Sequence, residues 1–173
     1  MYFIPKPQKV EKKEGNFTLA YETYLSVDPD CSPLVTHQAR SFHDKIKSVL
    51  GFCPVFVKGR SKKGDMVIVQ NDAMEKQSYV LDITESSVIL TGEETGLWHG
   101  MQTLLQIIEQ EGGVLPALHI EDKPAIKNRG YYLDCTRGRI PKLEWLKELA
   151  DRMAYYKLNQ LQLYIEHTIC FGI

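Results

Sequence analysis

The sequence predicts an α+β fold, with a mostly antiparallel sheet that carries two helices on one face, followed by a strand–helix–strand unit. Two long stretches repeat apolar side chains at intervals of three and four residues, as amphipathic helices do. Short runs that alternate apolar and polar residues surround them and predict strands, several of them joined as hairpins. We assign residues 1–121 to the α+β domain and residues 122–173 to the second unit.

The composition is that of an ordinary globular protein. Of the 173 residues, 43% are hydrophobic and 25% are charged. The net charge of -1 gives no electrostatic basis for binding nucleic acid or an anionic membrane. The N-terminal stretch MYFIPKPQKVEKKEG does not follow the pattern of a signal peptide, so we expect a cytoplasmic protein. The four cysteines form no C-x-x-C pair, which favours free thiols.

The first part of the chain reads as short strands followed by a helix. Residues 2–24 are strand-like with a turn at residues 12–16, and residues 23–27 alternate as another strand. Residues 34–50 form the first predicted helix, and Gly51 is a suitable C-cap. The apolar face of this helix is expected to consist of Val35, Ala39, Phe42, Ile46 and Val49.

The middle of the chain adds strands and a second helix. Residues 55–58 and 66–69 are predicted strands, and the basic loop between them is interpreted as a solvated hairpin turn. A phosphate cradle is disfavoured there because a strand, not a helix, follows the glycines. The later elements are a hairpin of residues 77–83 and 88–91, a helix over residues 95–110 and a strand over residues 115–120.

The second unit begins after a turn at Asp122-Lys123-Pro124. Residues 129–134 are an apolar run that predicts a strand, and Pro141 opens an amphipathic helix that ends near residues 156–157. Leu161, Leu163 and Ile165 alternate with polar residues as a second strand. Strand–helix–strand units with short joints are nearly always parallel and right-handed.

Two motifs in this order resemble glycoside hydrolase family 20, the β-N-acetylhexosaminidases. Residues 96–106, GLWHGMQTLLQ, are similar to the last helix of the small domain that precedes the catalytic barrel in that family. The pattern D-x-P, R-G-x-x-L-D-x-x-R and M-A-x-x-K-L-N resembles the opening of the barrel itself. Its residues here are Asp122, Pro124, Arg129, Gly130, Leu133, Asp134, Arg137, Met153, Ala154, Lys157, Leu158 and Asn159.

The resemblance implies a zincin-like small domain followed by the first strand–helix–strand of an incomplete (β/α)8 TIM barrel. It further implies an N-terminal fragment of an exo-acting β-N-acetylhexosaminidase with substrate-assisted, retaining catalysis and no cofactor. The partner would be a carbohydrate ending in N-acetylhexosamine. The family's catalytic Asp-Glu pair lies on a later strand, and no Asp-Glu dipeptide occurs here, so we expect the fragment to be inactive. The alternative is a non-catalytic α+β module for carbohydrate or protein interaction.

Candidate site residues follow from the same motifs. The resemblance gives Arg129 contact with hydroxyls of the terminal sugar, and the alternative is a salt bridge to Asp134 or another carboxylate. Asp134 and Arg137 are interpreted as an ion pair or a loop-fixing network. An arginine beside a carboxylate favours the ionised form, which is the opposite of what a general acid needs.

Tyr164, Glu166 and His167 end the second strand, where many hexosaminidases carry a run like H-x-H-L-x-D-D. They could line a pocket, although neighbours on a strand point to opposite faces. No metal site is expected, since H-E-x-x-H is absent and His37, His43, His99 and His119 lack ligand spacing.

The incomplete barrel is expected to leave an open strand edge and apolar side chains without partners. The residues concerned are Leu161, Leu163, Ile165, Ile169, Phe171 and Ile173. We therefore expect the segment from Leu158 onward to be disordered or repositioned, or to be covered by self-association through this edge.

Overall fold

The computed structural model describes residues 1–59, 65–137 and 140–166. The chain forms two compact units, Met1–Pro124 and Ala125–Ile173. In the first unit the elements are β1 (Lys9–Thr18), β2 (Tyr24–Val27), α1 (Pro33–Leu50), β3 (Val55–Lys58), β4 (Met66–Gln70), β5 (Tyr79–Thr84), β6 (Ser87–Gly92), α2 (Glu94–Glu111) and β7 (Val114–Asp122). The predicted α+β class is confirmed.

The sheet of the first unit is mixed, so the prediction of a mostly antiparallel sheet is wrong. Its seven strands lie in the order β1-β7-β5-β6-β4-β2-β3. The pairs β1–β7, β7–β5 and β5–β6 are antiparallel, whereas the pairs β6–β4, β4–β2 and β2–β3 are parallel. Helix α1 causes part of the difference, because a helical crossover from β2 to β3 makes these two strands parallel.

The connection between β3 and β4 is not the predicted hairpin turn. Both strands are parallel to β2 and lie on either side of it, so they are not the adjacent antiparallel strands of a hairpin. Most of this connection, residues 60–64, lies outside the described residues. A hairpin and a crossover look alike in sequence when the linker is short and polar.

The turn predicted at residues 12–16 is instead an irregularity within one strand. Strand β1 continues through these residues and pairs with β7, and its register shifts between Lys12 and Asn16. Gly15 has a φ of 93°, a left-handed conformation that glycine adopts without steric cost. The local sequence signal for an interruption was correct, but the interruption is a register shift within one strand and not a turn between two strands.

Helix α1 has the caps that its sequence suggests. The Ser32 hydroxyl accepts a hydrogen bond from the Val35 N–H at 3.2 Å, and Gly51, with a φ of 77°, donates its N–H to the Lys47 carbonyl at 2.9 Å. Four of the five predicted core residues are buried, whereas Val49 is 39% exposed in the last turn. Helices α1 and α2 pack against each other and contact neighbouring strands, so both lie on one face of the sheet.

Helix α2 approaches the sheet so closely that two of its positions exclude a side chain. A methyl group on Gly96 would overlap the Ser78 carbonyl group, and one on Gly100 would overlap the Leu90 side chain. Above Gly100, the buried Tyr79 hydroxyl lies 2.6 Å from the Thr103 hydroxyl and donates to Asp122 Oδ2 at 3.0 Å. These contacts explain the glycine spacing of the GLWHG motif.

The second unit is a parallel strand–helix–strand unit, as the sequence predicts. Strands β8 (Gly130–Asp134) and β9 (Gln160–Tyr164) pair in parallel and flank helix α3 (Leu143–Tyr155) in the chain. Helix α3 begins two residues after Pro141. Within the described ranges, no helix has the length and apolarity needed to cross a membrane. Cys31, Cys53 and Cys135 are free thiols, and Cys170 lies outside the described residues.

We expect Gly96→Ala to lower the free energy of unfolding by about 1–3 kcal/mol or more, because the added methyl group meets backbone atoms that cannot move away. The matched control is Gly113→Ala, where the methyl group would lie 3.7 Å from the Leu19 carbonyl oxygen and where we expect a change within about 1 kcal/mol. Urea unfolding measures both. Equal effects of the two substitutions would contradict the close approach at Gly96.

Candidate functional site

A polar cluster lies where the two strands of the second unit end. The parallel register pairs Asp134 with Tyr164, so these side chains lie side by side on one face of the sheet. Thr136, Arg137 and Glu166 come from the segments that follow the strands. We call these five residues the strand-end cluster.

Asp134 accepts hydrogen bonds through both carboxylate oxygens. Oδ1 accepts from the backbone N–H groups of Thr136 at 3.0 Å and Arg137 at 3.1 Å, and from the Thr136 hydroxyl at 3.2 Å. Oδ2 accepts from Arg137 Nε at 2.6 Å. The backbone N–H of Thr136 and the Arg137 guanidinium hold the pKa of Asp134 well below its usual range. Asp134 is therefore a fixed carboxylate that organises the loop, and it is unsuited to donate a proton.

Arg137 connects Asp134 with the end of β9. Its guanidinium carbon lies 5.0 Å from the centre of the Tyr164 ring, and Nη1 lies 3.8 Å from Glu166 Oε2. The hydrogen bond to Asp134 raises the pKa of Arg137, and the hydrogen bond with Glu166 raises the pKa of Tyr164. The cluster thus combines two acidic side chains, one guanidinium and one phenol.

Arg129 lies at the other end of β8, where its guanidinium binds backbone carbonyl groups. Nε donates to the Lys157 carbonyl at 2.9 Å, and Nη1 donates to Ile126 at 2.7 Å and Lys127 at 3.2 Å. Asn159 reinforces the joint, since its Oδ1 accepts from the Arg129 N–H at 2.8 Å. These contacts fix the segment before β8 to the connector before β9. The sugar contact of Arg129 stays a prediction.

The structure thus brings four predicted residues together, Asp134, Arg137, Tyr164 and Glu166. Arg129 is at the opposite end of β8, and His167 lies outside the described residues. Sequence reasoning missed Thr136, which accepts from the Glu166 N–H at 3.4 Å, and Tyr132, whose ring centre is 5.8 Å from that of Tyr164. Pairing the two strands in parallel register would have indicated Tyr132, because it lies two residues before Asp134 on the same face.

A groove of about 630 Å³ borders the cluster on the side of helix α3. Its lining is Tyr131, Leu133, Asp134, Arg137, Ile140, Pro141, Lys142, Glu144, Trp145 and Glu148. The groove combines aromatic surface with side chains of both charges. Sequence reasoning did not single out Trp145, because a tryptophan one turn into an amphipathic helix has no local feature that separates a groove residue from a core residue.

The apolar side chains of β9 are only partly covered. Leu161, Leu163 and Ile165 are each more than a third exposed, whereas Ile169, Phe171 and Ile173 lie outside the described residues. Residues 160–164 nevertheless form a regular strand that pairs with β8. Self-association through this edge stays a prediction.

A second group of charges lies on the first unit, on the sheet face opposite the helices. His119 Nδ1 is 2.7 Å from Asp82 Oδ1 and Nε2 is 3.0 Å from Glu121 Oε1, and the two carboxylates also bind Lys13 and Lys9. Glu121 and Asp82 raise the pKa of His119. The lysines balance the carboxylates, so the arrangement is an ion-pair network. In the part of the chain that the structure describes, no three His, Cys, Asp or Glu side chains are grouped to hold a metal ion.

Comparison with known proteins connects both units to one family. Residues 1–123 match the family model for glycosyl hydrolase family 20, domain 2. A β-hexosaminidase of Vibrio furnissii is 28% identical over 159 residues, covering 90% of this chain and 25% of that protein.

Solved structures extend the likeness into the second unit. The family 20 β-N-acetylhexosaminidase of Streptomyces coelicolor A3(2) is 28% identical with a TM-score of 0.76, covering 94% of this chain and 34% of that one. The exo β-N-acetylglucosaminidase of Vibrio harveyi, solved with N-acetylglucosamine, has a TM-score of 0.80 at 23% identity and covers 94% of this chain and 25% of that one. The chain therefore spans between a quarter and about a third of these relatives.

We expect Arg137→Gln to raise the pKa of Asp134 while leaving it below the usual range. The substitution removes the guanidinium but keeps the backbone N–H groups, the first of which contributes most to the low pKa. Carbon-13 NMR titration of the carboxyl group measures this pKa. Lys147→Gln, an exposed charge removal on α3, is the control and should leave it unchanged. An Asp134 pKa that did not respond to loss of Arg137 would contradict the ion pair.

Proposed function

The chain belongs to glycosyl hydrolase family 20, whose domain 2 it carries, and on that premise we propose that it is the N-terminal part of an exo-acting β-N-acetylhexosaminidase. The substrate of the whole enzyme would be a glycan ending in a β-linked N-acetylhexosamine. The observation that carries this proposal is the order of parts. Domain 2 is followed by a parallel strand–helix–strand unit, and the likeness to family 20 enzymes of known structure covers both.

In the proposed reaction, the substrate's own acetamido oxygen attacks the anomeric carbon while the glycosidic bond breaks and the leaving oxygen takes up a proton. Water then attacks the anomeric carbon and restores the acetamido group. An adjacent Asp-Glu pair serves these steps, the aspartate by orienting the acetamido group and the glutamate as acid and base. The 173-residue sequence contains no Asp-Glu dipeptide. We therefore propose that the catalytic pair belongs to sequence that follows residue 173, and that the strand-end cluster supports the site by holding the loops after β8 and β9.

The strand-end cluster suits this supporting role because its charges are committed to one another. Asp134 is held ionised by two backbone N–H groups and by Arg137, so it is already occupied as an acceptor. Arg137 in turn covers the Tyr164 ring. A loop fixed in this way can position neighbouring groups without exchanging a proton itself.

We expect the purified 173-residue chain not to hydrolyse an aryl N-acetyl-β-glucosaminide, because the acid/base and the acetamido-orienting aspartate are missing. The same assay on a chain extended by the downstream coding sequence should show turnover that is lost when the glutamate of its Asp-Glu pair is replaced by glutamine. Turnover by the 173-residue chain, after contaminating enzymes are excluded, would refute the assignment. A stop codon directly after residue 173 would favour the non-catalytic interaction module instead.

We propose that Arg129 contacts the terminal sugar in the extended enzyme, while its backbone contacts keep the guanidinium in place. Arg129→Lys should then lower kcat/KM about 10- to 100-fold, the effect of losing charged hydrogen bonds to the substrate. Arg152→Lys, at an exposed arginine of α3, is the control. The midpoint of thermal unfolding is measured in parallel. A lowered unfolding midpoint with unchanged kcat/KM would mean that Arg129 only stabilises the fold, and it would contradict the sugar contact.

A further inference from the structure

Two glutamines on helix α2 hold the N-terminal segment of the chain in a regular pattern. Gln110 accepts from the Tyr2 N–H and donates to the Tyr2 carbonyl, both at 2.8 Å. Gln106 accepts from the Ile4 N–H at 3.0 Å and donates to the Ile4 carbonyl at 2.8 Å. Each side-chain amide therefore pairs with one residue as a neighbouring β-strand would.

The two glutamines bind the backbone of the N-terminal segment and, in the described part of the chain, form no hydrogen bond with its side chains. All four hydrogen bonds involve main-chain N–H and carbonyl groups of the segment. The side chains of Tyr2 and Ile4 are largely solvent-exposed, with 68% and 51% of these residues accessible. Gln106 itself is buried, with 4% exposure, so its surroundings restrict the orientations of its side-chain amide. Nothing in these contacts requires the segment to be tyrosine and isoleucine.

The geometry of a helix explains why two glutamines at this spacing fit an extended chain. Residues four apart rise about 6 Å along the helix axis, close to the roughly 6.6 Å that an extended chain covers in two residues. Each advance of four residues also turns about 40° around the helix axis, so an extended chain stays beside such positions for only a few advances. Here the chain bends at Ile4 and Pro5. Gln102, one turn earlier, is fully buried, and its amide has no hydrogen-bond partner among the residues that the structure describes.

We propose that Gln106 and Gln110 form a docking site for an extended peptide segment recognised through its backbone, and that residues 2–4 occupy this site in cis. The partner is an extended peptide in which two residues, with one further residue between them, present their backbone N–H and carbonyl groups to the glutamines. This interaction is separate from glycoside hydrolysis. Because a tethered segment competes at millimolar effective concentration, a peptide in trans binds measurably only when the tethered segment is released.

The test uses the full chain with Tyr2→Pro and Ile4→Pro, which removes both N–H donors and opens the site. A synthetic peptide of sequence MYFIPK, labelled with fluorescein on its lysine, is titrated and followed by anisotropy. We expect saturable binding that is lost in the same chain with Gln106→Ala and Gln110→Ala. A chain with Phe3→Pro is the matched control, because its two paired N–H groups remain and it should bind the peptide at least about tenfold more weakly.

Modified peptides separate backbone from side-chain recognition. N-methylation at Tyr2 or Ile4 should weaken binding at least about tenfold, whereas N-methylation at Phe3 should change it by less than about threefold. The peptide MAFAPK should also bind within about threefold of MYFIPK. Absence of binding, equal effects of all three N-methyl groups or failure of MAFAPK to bind would each overturn the proposal.

If the proline variant fails to fold, a measurement on the unaltered chain tests the premise of the proposal, which is that the two glutamines hold residues 2 and 4 through their backbone. Amide hydrogen exchange at Tyr2 and Ile4 should be slower than at Phe3, and Gln106→Ala with Gln110→Ala should remove the difference. Equal exchange at the three amides of the unaltered chain would overturn the proposal.

Discussion

Helix α2 crosses β5 at a distance that leaves no room for a side chain between them. At Gly96 the Ser78 carbonyl group occupies the place of a Cβ, and at Gly100 the Leu90 and Tyr79 side chains do the same. The helix thereby becomes the centre of the first unit, buried over most of its surface. The rest of the unit depends on this approach, because α1 packs against α2, and Tyr79 connects α2 through Thr103 to the end of β7 at Asp122.

The two units use their polar side chains in different ways. In the first unit, charges on the open sheet face balance one another, so His119 is enclosed by carboxylates that lysines also bind. In the second unit, Asp134 and Arg137 fix a loop at the end of a strand, and Arg129 fixes the connector at its beginning. Each of these side chains has its donors or acceptors directed at a neighbour. Such groups give a precise geometry, and the low pKa of Asp134 is the electrostatic consequence of that geometry.

Membership of family 20 agrees with these roles. The proposal that the strand-end cluster positions loops, while the catalytic pair follows residue 173, agrees with them as well. Domain 2 accounts for residues 1–123, and the parallel unit that follows resembles the corresponding part of solved family 20 enzymes. The Asp134 and Arg137 side chains of the second unit are suited to organise a loop, since backbone N–H groups and the guanidinium hold the pKa of Asp134 well below its usual range. The glutamine pair of α2, proposed as a docking site for an extended peptide, is separate from these roles.

The sequence by itself determined the local elements and the family. Periodicity located the three helices of the described residues, and glycine marked the end of α1 at Gly51. The GLWHG and RGYYLD motifs carried the resemblance to the family that comparison confirmed. These features are readable because propensity, capping and periodicity act within a few residues of the chain.

Tertiary structure alone decided how these elements combine. The parallel pairing of β2, β3, β4 and β6 depends on which strands become neighbours, and a short polar linker does not reveal that choice. Arg129 faces backbone carbonyl groups from residues 126, 127 and 157, which only the folded chain brings together. The pairing of Gln106 with Ile4 joins residues 102 positions apart. Interactions over such separations leave no periodic trace, because the fold, and not the local sequence, sets the distance between the partners.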